Sequence, residues 1–290
     1  MALSNLAARV IFAIVAIPAV LRLIYLGGFP LAVMLAVVGA LAAWEYYRIA
    51  EGASERPLGI TGTIIAAAIP LAVEGYHSGR FHPPILTLAA TVALIVFALV
   101  IWWRGVDGRP LGAVAVTLFG AAYTGGMLSF GIGLRYHNYA VGEVAGTALV
   151  LYPVVLTWSS DTAAFFVGRA LGKRKLLPSV SPGKTVAGAA GGLVASVVVS
   201  WLYARYVLPH FARLTMLDWQ AVLFGIVIGA AVQIGDLAES LLKRDGNVKD
   251  SSNIIPGHGG VLDRIDSLLF AIPVAYLIFT LPHVLFPVNR

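Results

Sequence analysis

The stretch from Gln233 to Ser267 reads Q-I-G-D-L-A-E-S-L-L-K-R-D-G-N-V-K-D-S-S-N-I-I-P-G-H-G-G-V-L-D-R-I-D-S. It holds six of the fourteen acidic residues of the chain and four of its twenty basic ones, although only 12% of all residues are charged. Apolar runs flank and overlap it, near 218 to 238 and 262 to 286. Each is long enough for the roughly 20 residues that a helix needs to cross a bilayer. A polar connection strung between two spans indicates an all-α, polytopic integral membrane protein, and charge this dense in so apolar a chain points to chemistry.

Composition agrees. The chain has 290 residues, 59% of them hydrophobic, and a mean hydropathy of +0.87, whereas soluble domains are about 45–50% apolar. The absence of cysteine excludes disulfides, thiolate catalysis and thiolate-bound zinc. A net charge of +6 would suggest nucleic acid in a soluble protein. Here membrane orientation explains it, and no nucleic-acid partner is expected.

Nine spans are predicted, near 8–26, 30–49, 58–74, 84–103, 110–134, 144–168, 186–207, 218–238 and 262–286. No small-residue cleavage site precedes Gly27-Gly28, so the first is read as an uncleaved helix. With the N-terminus inside, fourteen of the twenty Lys and Arg residues, every lysine among them, fall on the cytoplasmic side. Arg22, Arg80, Arg135, Arg205, Arg213 and Arg290 are left outside, so the positive-inside rule gives N-in and C-out. A cell-membrane protein with its polar loops toward the cytoplasm is therefore expected. Residues 1–140 are predicted to shape a lipid-accessible cavity or a subunit interface, and 141–290 to carry the site. In the first part Glu45 with Arg48 reads as an interfacial pair, and Trp44, Tyr46, Tyr47, Trp102 and Trp103 as aromatic belts.

Asp263 and Asp266 are three apart, so a helix opened by Gly260 would put both carboxylates on one face. That arrangement suits Mg²⁺, which takes a few carboxylate oxygens and leaves its other positions to water and phosphates. Lys243, Arg244, Lys249 and Arg264 supply positive charge for phosphate groups. In the turn Pro256-Gly257-His258-Gly259-Gly260 the glycines would let backbone N–H groups approach an anion. His258 is read chiefly as a phosphate donor there, with general base or metal ligand as alternatives. Asp236 ends the eighth span, and beside it Glu239 and Lys243 have the spacing of an i,i+4 surface pair.

Asp161, in Trp158-Ser159-Ser160-Asp161-Thr162, is a carboxylate in apolar sequence and a functional candidate by default. The alternative is a carboxylate satisfied by Ser159 and Ser160. Further on, Ser181-Pro182-Gly183-Lys184-Thr185 puts a lysine and two hydroxyls on an expected tight turn before a helix, a candidate phosphate cradle. It lacks the first glycine and the spacing of a Walker A loop.

Three segments together resemble the signature of the phosphatidate cytidylyltransferases, also called CDP-diacylglycerol synthases. They are Ser240-Leu241-Leu242-Lys243-Arg244, Lys249-Asp250, and His258 through Asp266. The runs at 159–163 and 181–192 are similar to further segments of that family, with Val186-Ala187 where members usually carry Trp then Glu or Gln. The resemblance covers about 157–267. It implies CTP and phosphatidic acid as substrates, CDP-diacylglycerol and pyrophosphate as products, and a homodimer. It also implies Mg²⁺ held by Asp236, Asp263 and Asp266 with Asp161, and K⁺ as a second ion. Catalytic roles fall to these aspartates with Lys243 and Arg264. Substrate contacts fall to Ser181, Lys184, Thr185, Arg244, Lys249, His258, Gly259 and Gly260. If spans seven and eight run there and back, 181–185 and 243–266 share a face of the membrane, and both loops are expected over one nucleotide.

Two other classes remain. A transporter would also bury Asp161 and Asp236 near the midplane, but would not need a long charged loop with a glycine turn. A CDP-alcohol phosphotransferase would need the motif D-x-x-D-G-x-x-A-R, which this chain lacks.

Overall fold

A computed structural model describes residues 5–80, 82, 84–212, 214–255 and 259–280, with side chains from residue 14 onward. Twelve helices occur among these residues: α1 (Asn5–Leu26), α2 (Gly28–Gly52), α3 (Gly59–His77), α4 (Ile85–Trp103), α5 (Pro110–Ala121), α6 (Met127–Arg135), α7 (Glu143–Leu171), α8 (Val186–Tyr206), α9 (Leu208–Phe211), α10 (Asp218–Asp245), α11 (Leu262–Ile265) and α12 (Leu268–Thr280). A π turn, Ala122–Gly126, joins α5 to α6 without a break. Two short antiparallel strands, β1 (Lys175–Leu177) and β2 (Ser181–Thr185), are the one departure from an all-α chain among the described residues.

Seven helical stretches among the described residues are long and apolar enough to cross a bilayer: 28–52, 59–77, 85–103, 110–135, 143–171, 186–211 and 218–245. They coincide with the second to eighth predicted spans. The first predicted span overlaps α1, and Arg9 on it lies outside the described side chains. The ninth is not one helix. α11 ends at Ile265, because the Ser267 amide bonds the Asp266 carboxylate (2.6 Å) instead of continuing the helical ladder. α12 restarts when Phe270 and Ala271 donate to the Ser267 carbonyl. Residues 281–286 of that span, with Arg213 and Arg290, lie outside the described residues. Helix starts follow local chemistry elsewhere: Pro110 opens α5, and the Thr185 hydroxyl caps α8 by accepting from the Gly188 amide (3.1 Å).

The chain forms two compact units. The first comprises Met1–Ile132 with Leu242–Ile265. The second comprises Gly133–Leu241 with Asp266–Arg290. A division near residue 140 would have kept 242–265 with the C-terminal helices, but in the structure this segment packs with the N-terminal ones, α11 against α2.

Within the first unit α2 packs on α3, α5 and the π turn. The backbones come close because glycines face them: a Cβ at Gly62 would strike the Tyr47 ring, and one at Gly125 the Ala66 backbone. Leu58, Val96, Val100, Ala113 and Val114 form an apolar cluster there. Within the second unit α7 and α8 lie along each other over small residues, as helices in lipid commonly do. A Cβ at Gly188 would meet the Ala164 carbonyl at 2.8 Å, and one at Gly191 the Val167 side chain at 2.7 Å. Phe279 of α12 closes this core between Tyr152 and Phe224, at ring distances of 5.6 and 5.4 Å.

Candidate active site

In the second unit three elements bring predicted residues to one place. α7 supplies Ser160, Asp161 and Arg169, β2 supplies Lys184, and α10 supplies Gln233 and Asp236. All line a cavity of about 600 Å³. The Lys184 ammonium sits 2.6 Å from Asp236 Oδ1, and Gln233 Nε2 ties α10 to α8 by donating to the Ala189 carbonyl (2.9 Å). Asp161 is exposed on the cavity. The Ser159 hydroxyl is directed instead at the Leu156 carbonyl (2.9 Å), which weakens the reading of Asp161 as a carboxylate satisfied by that serine. The cradle differs from the sequence expectation in form: Ser181–Thr185 is a strand paired with β1, not a tight turn. Thr185 is buried on the cavity wall, and its hydroxyl accepts from the Gly188 amide of α8.

The first unit holds a second cluster, built on a residue that the sequence reading took for an interfacial ion-pair member. Glu45 has no exposed surface. Its Oε2 accepts from Ser251 Oγ (2.8 Å) and the Leu262 amide (2.7 Å), and its Oε1 from Ser252 Oγ (2.5 Å) and the Val261 amide (2.9 Å). Arg48 lies over the Trp44 ring at 4.8 Å. The rule applied to Asp161, that a carboxylate embedded in apolar sequence is there for a reason, would have singled out Glu45 in Ala42-Ala43-Trp44-Glu45-Tyr46-Tyr47 as well.

Asp263 joins the same cluster. Its Oδ1 is 2.7 Å from Lys243 Nζ, and its Oδ2 accepts from the Ser251 amide (3.0 Å), Ser251 Oγ (2.9 Å) and the Gly260 amide (2.9 Å). Asp263 and Asp266 therefore do not share a helix face: α11 is four residues long, Asp266 lies beyond it, and the two fall in different units. The amides of Gly260, Val261 and Leu262 do approach anions closely, but the anions are the carboxylates of Asp263 and Glu45. Glycine is required at 260, where a Cβ would come within 2.5 and 2.7 Å of the Glu45 oxygens, and Gly259 has a φ of +81°. Glu239 is buried rather than a surface partner of Lys243. Arg244, Lys249 and Arg264 are exposed. Pro256, Gly257 and His258 lie outside the described residues.

Among the described residues no three His, Asp or Glu side chains are grouped to hold a metal ion. Asp161 and Asp236, two carboxylates on one cavity, fit the donor set that Mg²⁺ accepts when phosphate oxygens and water complete its shell. Asp266 lies beside α10 in the same unit, since a Cβ at Gly235 would meet its carbonyl at 2.8 Å.

The seven bilayer-length helices among the described residues define a multi-pass, α-helical membrane protein. Residues 7–281 match the model of the cytidylyltransferase family. The chain is 31% identical over 278 residues to the phosphatidate cytidylyltransferase of Bacillus subtilis (strain 168), covering 94% of this chain and 97% of that protein. It is 34% identical to that of Haemophilus influenzae, covering 91% and 95%, and 37% identical to that of Pseudomonas aeruginosa, covering 92% and 94%. The chain belongs to the cytidylyltransferase family and is a nucleotidyltransferase.

Proposed function

We propose that this protein transfers the cytidylyl group of CTP to phosphatidic acid, giving CDP-diacylglycerol and pyrophosphate. The observation that carries the site assignment is the cavity on which Lys184, Asp161 and Asp236 meet. An anionic oxygen of phosphatidic acid attacks the α-phosphorus of CTP in line. A new P–O bond forms as the bond to the bridging oxygen of the β-phosphate breaks, and pyrophosphate leaves with that electron pair. The attacking phosphate is already ionised near neutral pH, so no strong base is required, and catalysis rests on positioning and charge. Lys184 turns from Asp236 to a phosphate oxygen of the bound nucleotide, and exposed Arg169 lies on the same wall. Asp161 and Asp236 would hold Mg²⁺, which supplies neutralisation of the triphosphate and of the leaving pyrophosphate. K⁺ as a second ion and a homodimer belong to this reading on the family resemblance.

Pyrophosphate release from purified protein tests the reading. It is expected only with CTP, phosphatidic acid and Mg²⁺ together, and release that ignores phosphatidic acid counts against it. Replacing Lys184 by Met should raise KM for CTP, lower kcat, or both, by roughly ten- to a hundredfold, as for a lost charge-assisted phosphate contact. Unchanged kinetics would make the 181–185 segment a topological element only.

The proposal includes a bacterial inner membrane with the polar loops toward the cytoplasm. Ser251 is buried against Glu45 and Asp263 and cannot report topology, whereas Ser179 is exposed on the β1–β2 turn. In this cysteine-free chain, Ser179→Cys should react with an impermeant maleimide only in opened cells. Labelling in intact cells reverses the orientation.

A further inference from the structure

Glu45 lies outside the motif segments at 157–267, yet its carboxylate takes four bonds from the charged loop. Residues 251–261 contain no helix or strand among the described residues. Their backbone is closed on itself by little more than an isolated bridge between Ile255 and Gly259. Two carboxylates tie both ends of the loop: Asp263 takes the Ser251 and Gly260 amides, and Glu45, from a distant helix, takes Ser251 and Ser252 at the start and the Val261 and Leu262 amides at the end. Ser251 then links two carboxylates. Its hydroxyl is 2.8 Å from Glu45 Oε2 and 2.9 Å from Asp263 Oδ2, and it has one proton to donate. The orientation of Asp263, and through it the seat of Lys243, therefore depends on where Glu45 holds Ser251.

We propose that Glu45 is a positioning residue of the transfer reaction, acting through the 251–262 loop and Asp263 without touching nucleotide or lipid. The kinetic part of this proposal rests on the cytidylyl-transfer reading. The loop part does not.

Glu45→Gln tests both. The amide keeps the volume but turns one acceptor oxygen into a donor, which must then face the amide of Val261 or Leu262. Hydrogen–deuterium exchange of the purified protein is expected to rise in peptides covering 248–265 and nowhere else. kcat should fall at least about tenfold while KM for phosphatidic acid stays at the wild-type value. A role confined to holding the fold would lower yield and melting temperature and leave kcat per folded molecule intact. That result, or unchanged exchange in the loop, overturns the proposal.

If Glu45→Gln does not fold, Ser252→Ala removes one of the four bonds to Glu45, together with the bond that the Ile254 amide donates to Ser252 Oγ (3.2 Å). It should raise loop exchange and lower kcat roughly two- to fivefold, and wild-type values for both overturn the proposal equally. A wild-type protein that releases no pyrophosphate from CTP and phosphatidic acid overturns the transfer reading. The exchange measurement then decides by itself whether Glu45 holds the loop.

Discussion

Asp236→Asn is expected to give folded protein in normal yield with transfer activity lowered at least about a hundredfold. The side chain is 37% exposed and opens on the cavity, so asparagine fills the same volume without burying a new unpaired group. The Lys184 side chain is 25% exposed although its ammonium nitrogen is covered, and the asparagine carbonyl leaves it an acceptor in place of the carboxylate. What disappears is a negative charge that both orients Lys184 and completes the carboxylate pair with Asp161. Pyrophosphate release measured beside size-exclusion yield checks this. Near wild-type turnover at saturating Mg²⁺ would remove Asp236 from the chemistry.

Asp263→Asn should behave differently, although both aspartates lie in the same charged stretch. Asp263 and Lys243 are only 7% and 14% exposed, and the carboxylate gathers Lys243, two backbone amides and a serine hydroxyl. Asparagine leaves the lysine charge buried and opposes its own NH₂ to one set of donors. Breaking such a pair from one side costs about 3–5 kcal/mol. A lower melting temperature and a reduced folded yield are expected together with lost activity. Adding Lys243→Met should recover folded protein by removing the orphaned charge, without recovering turnover. Full thermal stability of Asp263→Asn alone would show that the pair does not hold the loop.

The contrast explains what the sequence made legible. Spans two to eight are visible because apolar runs of bilayer length need no knowledge of their neighbours. Asp161 is legible as a costly charge within a span, Lys184 as a lysine in a phosphate-cradle segment and Asp236 as a carboxylate at a span end, and the fold brings all three to one cavity. Elsewhere the pattern in sequence is incomplete without the bonds that the fold adds. The spacing of Asp263 and Asp266 suggests one helix face only if the helix continues, and the Asp266 carboxylate itself interrupts it at Ser267. The glycine turn is rightly read as amides seeking an anion, but the anion lies 216 and 217 residues away for Val261 and Leu262. No local pattern reports a bond of that range. Thr185 also caps the helix it precedes, a use legible from its position.

The distance in sequence between Glu45 and its donors also imposes an order in time during biosynthesis. Ser251 is the first of them to be synthesised, 206 residues after Glu45, which at roughly 5–20 residues per second is on the order of ten to forty seconds of translation. Through that interval α2 enters the bilayer carrying a carboxylate without the groups that later satisfy it. A nascent chain ending before residue 251 therefore holds α2 with an uncompensated acid on it, and this native contact becomes available only once residues 251–262 have been made.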